Sequence, residues 1–220
     1  MLDNTAALLA LRSRLSSTLS VCTSVDADVA ATATGYTSTA GNFISRGFRV
    51  GMEVQPVGFA ETTRAYITTL SATTMAVFGG RVTPQSAGAG RTIQVALPQL
   101  VAWENTQLDP PMNRWFVEED WLPGPVEQST LGAYGVVESL PQYVLRFYGV
   151  ANTGNDALNA VADAVLDVFP PRTELVLSSG NWLSVRTSPA PYRGQLLQAE
   201  PGRPVVPITI PLRFRSSNSL

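Results

Sequence analysis

The chain has 220 residues, with fifteen basic and seventeen acidic side chains, a net charge of −2, and arginine at every basic position, since it contains neither histidine nor lysine. Those absences exclude Ser-His-Asp and Cys-His catalysis, histidine-ligated zinc, lysine Schiff bases and Walker-type phosphate sites, and the balanced charge argues against a nucleic-acid footprint. Charged residues are only 15% of the chain, well under the roughly 25% of an average domain, so much of the surface is expected to be covered by partner chains.

Cys22 stands alone, so no intrachain disulfide or cysteine-rich metal site is expected. No apolar run approaches the roughly 18 residues of a membrane span. Arg12 and Arg14 stand where a signal peptide would be apolar. The chain reads as soluble and untargeted.

In chain order, Asn4–Ser20 reads as an amphipathic helix. Asp3 or Asn4 can cap it, and Leu8, Leu11, Leu15 and Leu19 fall on one face. Residues 21–97 are rich in Thr, Ser, Gly and Ala. Short β-type runs appear there at Phe43–Ile44, Phe48–Gly58, Ala65–Leu70, Thr74–Phe78 and Arg91–Leu97, punctuated by glycines. This texture predicts a small all-β barrel or sandwich inserted between the first helix and the second half of the chain.

After Pro98 the pattern becomes α+β. Val101–Trp103 and Arg114–Trp121 are candidate strands, the second with Trp115, Val117, Glu119 and Trp121 on one face and Arg114, Phe116 and Glu118 on the other. Leu122–Gly135 reads as a loop or loose hairpin. Gln142–Val150 is apolar on both faces, as expected mid-sheet beneath helices. Thr153–Phe169 reads as a second helix with Asp156 in its electropositive first turn, stopped by Pro170–Pro171. Three β runs close the chain: Thr173–Leu177, Trp182–Thr187 and Val205–Arg215. In the last, Pro207 and Pro211 delete donors toward the same neighbour, which predicts a border strand.

The chemical candidates are few. Glu118–Glu119–Asp120 is the one dense acidic cluster, but its two glutamates face opposite sides of a strand, so a glycosidase pair is far less probable than an ion-paired strand end. Asp26 and Asp28 lack calcium-loop spacing and read as a solvated turn. Gly88 and Gly90 precede a β run rather than a helix, so a phosphate cradle fails on context. Arg213 and Arg215, near Trp182 and Tyr192, favour an interface or surface ion pair over an RNA surface. Trp115, Trp121 and Trp182 read as core or interface anchors. No catalytic, cofactor-binding or metal residue is expected.

Taken in order, VAWEN, LDPPMNRWFVEEDWLPGPVEQSTLGAYG, QYVLRFYGVANTGNDALNAVADAVLDVFP, TELVLSSGNWLSVRTSPAPYRG and VVPITIPLRFR, with the first helix in front, resemble the tail-terminator family of long-tailed bacteriophages. Asn105, Leu108, Pro110, Pro111, Leu131, Gly132 and Phe169 match the family's order of motifs. The resemblance covers about 135 of the 220 residues. It implies an α+β core of residues 1–20 and 98–220, a mixed or antiparallel sheet packed against two helices, with 21–97 as an inserted small β domain that compact terminators lack.

It further implies a virion protein at the neck end of the tail, assembled in the host cytoplasm. There it would form a ring, commonly of six subunits, that caps the finished tail tube, ends its growth and offers a surface to the head connector. Its partners would be copies of itself, the tube protein and neck proteins, with no cofactor, nucleic acid or membrane. The residues expected at interfaces are Trp121, Leu131, Tyr134, Trp182, Tyr192, Arg213 and Arg215, with Leu122–Gly135 reaching tube or neighbour. A connector or minor tail protein of the same fold is the alternative, and a carboxylate-based glycan hydrolase a distant third.

Overall fold

The computed structural model describes residues 3–17, 24, 28–78, 82–97, 101–102, 109, 112–128, 130, 135–177, 181–199 and 202–217. The fold is α+β and mostly sheet, with two helices among the described residues.

Helix α1 (Asn4–Ser16) starts where the Asp3 carboxylate accepts from the Ala6 N–H at 2.9 Å. It buries Ala7, Leu11 and Leu15. It ends earlier than the apolar stripe predicts, because the Ser16 and Ser17 hydroxyls donate to the Ser13 and Arg14 carbonyls and close the last turn. Leu19 lies outside the described residues. Helix α2 (Asp156–Val168) buries Ala157, Leu158, Val161, Ala162 and Val165. Its last turn has no basic residue of its own, and Arg14 of α1 donates to the Val168 carbonyl at 2.7 Å, placing a cation where the helix dipole favours one.

The larger sheet has ten strands, and the closing strand β16 (Arg203–Ser217) runs through its centre. One side of β16 pairs with β11 (Gln142–Tyr148) and then β10 (Val136–Ser139). Beyond β11 lie β8 (Phe116–Leu122) and the parallel β7 (Val101–Ala102), while β9 (Val126–Gln128) pairs with β10. The other side pairs with three short strands in turn, β15 (Leu197–Ala199), β14 (Tyr192–Arg193) and β13 (Asn181–Val185), and β12 (Glu174–Val176) lies outside β13.

The border placement expected for β16 is therefore overturned, and the prolines explain how. Pro207 falls between the stretches paired to β15 and β14, and Pro211 between those paired to β14 and β13. Their carbonyls still accept from Gly194 and Arg186 at 2.8 and 2.9 Å. The missing donors thus coincide with breaks in the partner strands, not with a free edge.

Both helices cover one face of this sheet. That face carries Trp115, Val117, Glu119 and Trp121 at β8, Tyr143, Leu145 and Phe147 on β11, and Val206, Ile208, Ile210, Leu212 and Phe214 on β16, all buried. The opposite face of β11, with Val144, Arg146 and Tyr148, is half-exposed, so the expected cover on both sides is not present. Glu119 sits beneath α1 with a wholly buried carboxylate. Arg12 Nε lies 3.0 Å from both of its oxygens, and the Tyr143 hydroxyl donates to Oε1 at 2.8 Å. Burial, and then the neighbouring Glu119 charge, push the Tyr143 phenol well above its ordinary value, so it stays a donor.

The smaller sheet has six antiparallel strands in the order β1 (Val29–Thr32), β2 (Gly35–Ser38), β5 (Thr74–Phe78), β4 (Ala65–Leu70), β3 (Glu53–Val57) and β6 (Thr92–Val95). Phe43–Ile44 is a turn rather than the expected strand, because the Asn42 side chain accepts from the Ser45 N–H at 3.1 Å and competes with strand pairing. Phe43 and Phe48 are nonetheless fully buried and meet edge to face. The two sheets share no strand pairing among the described residues. They meet at Gly51 (φ +85°), whose carbonyl accepts from Trp115 at 3.1 Å and where a Cβ would come within 2.4 Å of Val150. The guanidinium of Arg114 lies over the Tyr66 ring at 4.7 Å beside this seam.

Asp28 closes the first hairpin. Its carboxylate accepts from the Ser38 hydroxyl, from Thr39 Oγ1 and the Ala40 N–H at 2.6 Å, and from the Gly41 N–H at 3.0 Å. It is a structural cap, not the solvated turn residue expected; Asp26 lies outside the described residues.

Two outcomes are expected. Arg12→Ala strands the buried Glu119 charge and should cost about 3 kcal/mol in urea unfolding, whereas Arg12→Met with Glu119→Leu and Tyr143→Phe should recover most of that loss. Hydrogen bonds, led by that of Ser38, hold the Asp28 pKa below its ordinary 3.8. Its contribution is therefore complete above that ordinary value and is lost as pH falls below it. The Asp28→Asn variant should be less stable than the parent at pH 7, and the gap should close in unfolding curves taken progressively below pH 3.8.

Candidate interface

The face of the larger sheet turned away from the helices carries the chemistry that the core does not use. In β13 alternate residues divide between the layers: Leu183 and Val185 are buried, while Trp182 is 36% exposed and Ser184 is half-buried. Register then assembles a row across the sheet. Val176 of β12 stands opposite Trp182, Trp182 opposite Arg215, Arg215 opposite Glu138, and Glu138 opposite Glu127. Val176 is 91% exposed, an apolar side chain at the sheet border with nothing over it.

Glu138 holds two arginines at once. Its Oε1 lies 3.1 Å from Arg213 Nε and its Oε2 lies 2.8 Å from Arg215 Nε. Beside this clamp a cleft of about 440 Å³ is lined by Arg172, Arg186, Arg213, Ser184, Thr187 and Glu174, among others. Among the described residues, the side chains of Arg172 and Arg186 make no hydrogen bond or ion pair. A cleft with three guanidinium groups and one carboxylate is electropositive on a chain of net charge −2.

Further along the same face, Arg146 bridges Glu118 at 3.1 Å and Asp120 at 2.6 Å. The Tyr148 hydroxyl donates to Glu118 at 2.6 Å, and burial together with that carboxylate pushes its pKa up to about 12. The Tyr148 ring stacks on Phe116 with centroids 4.2 Å apart, and buried Arg203 lies over Phe116 at 4.7 Å. Glu118 and Glu119 are thus on opposite faces of β8, each fully engaged, and do not converge on a common space.

The structure brings Trp182, Tyr192, Arg213 and Arg215 onto one face. Tyr192 is exposed opposite Thr209 of β16. Trp121 is not among them. It is 6% exposed, on the helix-covered side, and lines a separate cleft of about 320 Å³ with Asn4, Pro123, Val126 and Val137. The segment Leu122–Gly135, expected to be a loop or loose hairpin, contributes β9, which pairs antiparallel with β10. Leu131 and Tyr134 lie outside the described residues, as do Asn105, Leu108, Pro110, Pro111 and Gly132. Phe169 is buried and meets the Tyr143 ring edge to face at 6.4 Å.

Sequence reasoning missed Glu138, Arg172, Arg186 and Val176. The two-residue period Trp182–Ser184–Arg186 was a readable signal for one of them; the others reach the patch through pairing between distant segments.

No family model matches the chain, and no curated protein matches it. One solved structure, whose name states no function, aligns over 54% of this chain and 79% of its own length, with 22% identity and a TM-score of 0.42. No described helix is long and apolar enough to cross a membrane, and no group of three or more metal-ligating side chains occurs among the described residues.

Both arginines held by Glu138 are more than one third exposed. Glu138→Gln should therefore cost under about 1 kcal/mol in urea unfolding. A loss above about 2 kcal/mol would make the clamp a part of the fold rather than a surface feature.

Proposed function

We propose that the chain is a structural protein of a long-tailed bacteriophage, which closes the end of the tail tube as a ring and presents a surface to the neck. The observation that carries this reading is the asymmetry of the larger unit: two helices cover one sheet face, while the other exposes Trp182, Val176 and arginines. Trp and Arg clustered on one exposed face are the side chains enriched in protein interfaces. The element order α1, β8, β11, α2, β16 supports it, since it follows the order of the sequence resemblance. The six-stranded unit within residues 21–97 is, in this reading, an insertion decorating the ring.

The engagement of Glu118 and Glu119 on opposite faces supports a role without catalysis. Two carboxylates separated by a β-sheet cannot flank one glycosidic bond. A head–tail connector on the same fold would use the same exposed face.

Negative-stain imaging of tail tubes mixed with the purified chain decides between these. A ring of fixed size on tube ends is expected, with tube lengthening stopped. Binding to connector rings but not to tubes would move the assignment to the connector, and bare ends on both would overturn the reading.

A further inference from the structure

The electropositive cleft has a counterpart on the opposite layer of the molecule. Along α2 the exposed positions are Asp156, Ala160, Asp163 and Asp167, spaced so that they form one stripe on the helix surface turned away from the sheet. Asp163 is held by Arg193 at 3.2 Å. Among the described residues, the side chains of Asp156 and Asp167 make no hydrogen bond or ion pair. The chain thus presents carboxylates without an ion-pair partner on its helix side and Arg172 and Arg186 without one at the cleft, and no ion pair joins the two sets among the described residues.

We propose that a second copy of this chain lays the aspartate stripe of its α2 against the arginine cleft, so that subunits join head to tail through two unlike surfaces. The proposal rests on the ring reading above and specifies the contact that would build it. Unlike surfaces are what a ring requires: a contact between identical patches stops at a dimer, whereas a heterologous one closes into a ring when its rotation allows. Charge complementarity orients the contact and excludes like faces. Val176 and Trp182, exposed beside the cleft, supply apolar area that the ion pairs alone lack. Arginine suits this role, because its weakly hydrated planar fork gives up water more readily than an ammonium group and can take a carboxylate in two bonds.

The test uses two full-length variants, each disabled on one face. Arg172→Glu with Arg186→Glu keeps the aspartate stripe, and Asp156→Arg with Asp167→Arg keeps the cleft. In sedimentation velocity the parent chain should form species larger than a dimer, weakened by salt. Each variant alone should be monomeric, and an equimolar mixture should again form species larger than a dimer, because the reversed stripe of one variant is complementary to the reversed cleft of the other. Thermal unfolding of each variant checks the fold, and the neutral set (Arg172→Gln with Arg186→Gln, Asp156→Asn with Asp167→Asn), whose mixture should stop at a 1:1 pair, replaces the reversals should either fail to fold.

Variants that still assemble alone, or a mixture that does not pair, overturn the proposal. If the parent nevertheless forms closed particles of one size, the ring reading survives its failure. A parent chain that stays monomeric, or whose cleft instead retains single-stranded DNA, overturns the proposal as well, and the ring reading is then decided on tube ends alone.

Discussion

Burying a carboxylate inside an apolar layer is costly, and much of the larger unit is arranged around the one at Glu119. Glu119 points from β8 into the space beneath α1, where an unpaired charge could not remain. Arg12 comes down from the helix and Tyr143 comes across from β11, so three elements far apart in sequence converge on two oxygens. Apolar contacts between α1 and the sheet are tolerant of sliding and rotation; a bidentate guanidinium–carboxylate pair is not. The pair therefore fixes where the helix lies, even though its net contribution to stability is modest once desolvation is counted. Arg14, one turn face away, then reaches the last carbonyl of α2, so the placement of one helix sets the other.

The same economy governs β16. A fifteen-residue strand flanked by five partners could pair indefinitely on either side. Pro207 and Pro211 remove donors toward the side where the partners are short, and each sits at a junction between two of them. The sheet is thus continuous on the β11 side and segmented on the other, which lets the chain from 181 to 199 turn away twice without leaving unsatisfied donors on β16.

Local pattern made the two helices and most strands readable, because period and stop signals act within one segment. The alternation in β8 separated Glu118 from Glu119 correctly before any neighbour was known. What period could not supply was pairing. Pro207 and Pro211 look the same on a border strand as on a central strand whose partners break, and only the partners' lengths tell these apart. The β9 and β10 pair was hidden in a stretch rich in Gly and Pro because its strands are short and its support comes from β16. The outer-face patch suffered likewise. Arg213 and Arg215 were legible as one face of their strand, with Trp182 and Tyr192 near them, but Glu138, Arg172 and Val176 come from elements whose adjacency is a property of the sheet. Trp121, legible as a core or interface anchor, takes the core place, because its strand phase, shared with Glu119, puts it under the helices.

Arginine usage ties these observations together. A chain without lysine has given every cation a rigid fork, and the structure uses most of them as cross-links. Arg12 clamps a buried carboxylate and Arg14 a helix end. Arg203 spans the carbonyls of Gly149 and Arg114 while stacking on Phe116. Arg146 bridges two acids of one strand, and Arg213 and Arg215 share a third. In such a molecule an arginine whose side chain meets no partner is the exception that asks for a cause. Two such arginines stand at one cleft, near an exposed tryptophan. The proposed contact rests on this pattern of occupied and unoccupied guanidinium groups, and not on the exposure of any one residue.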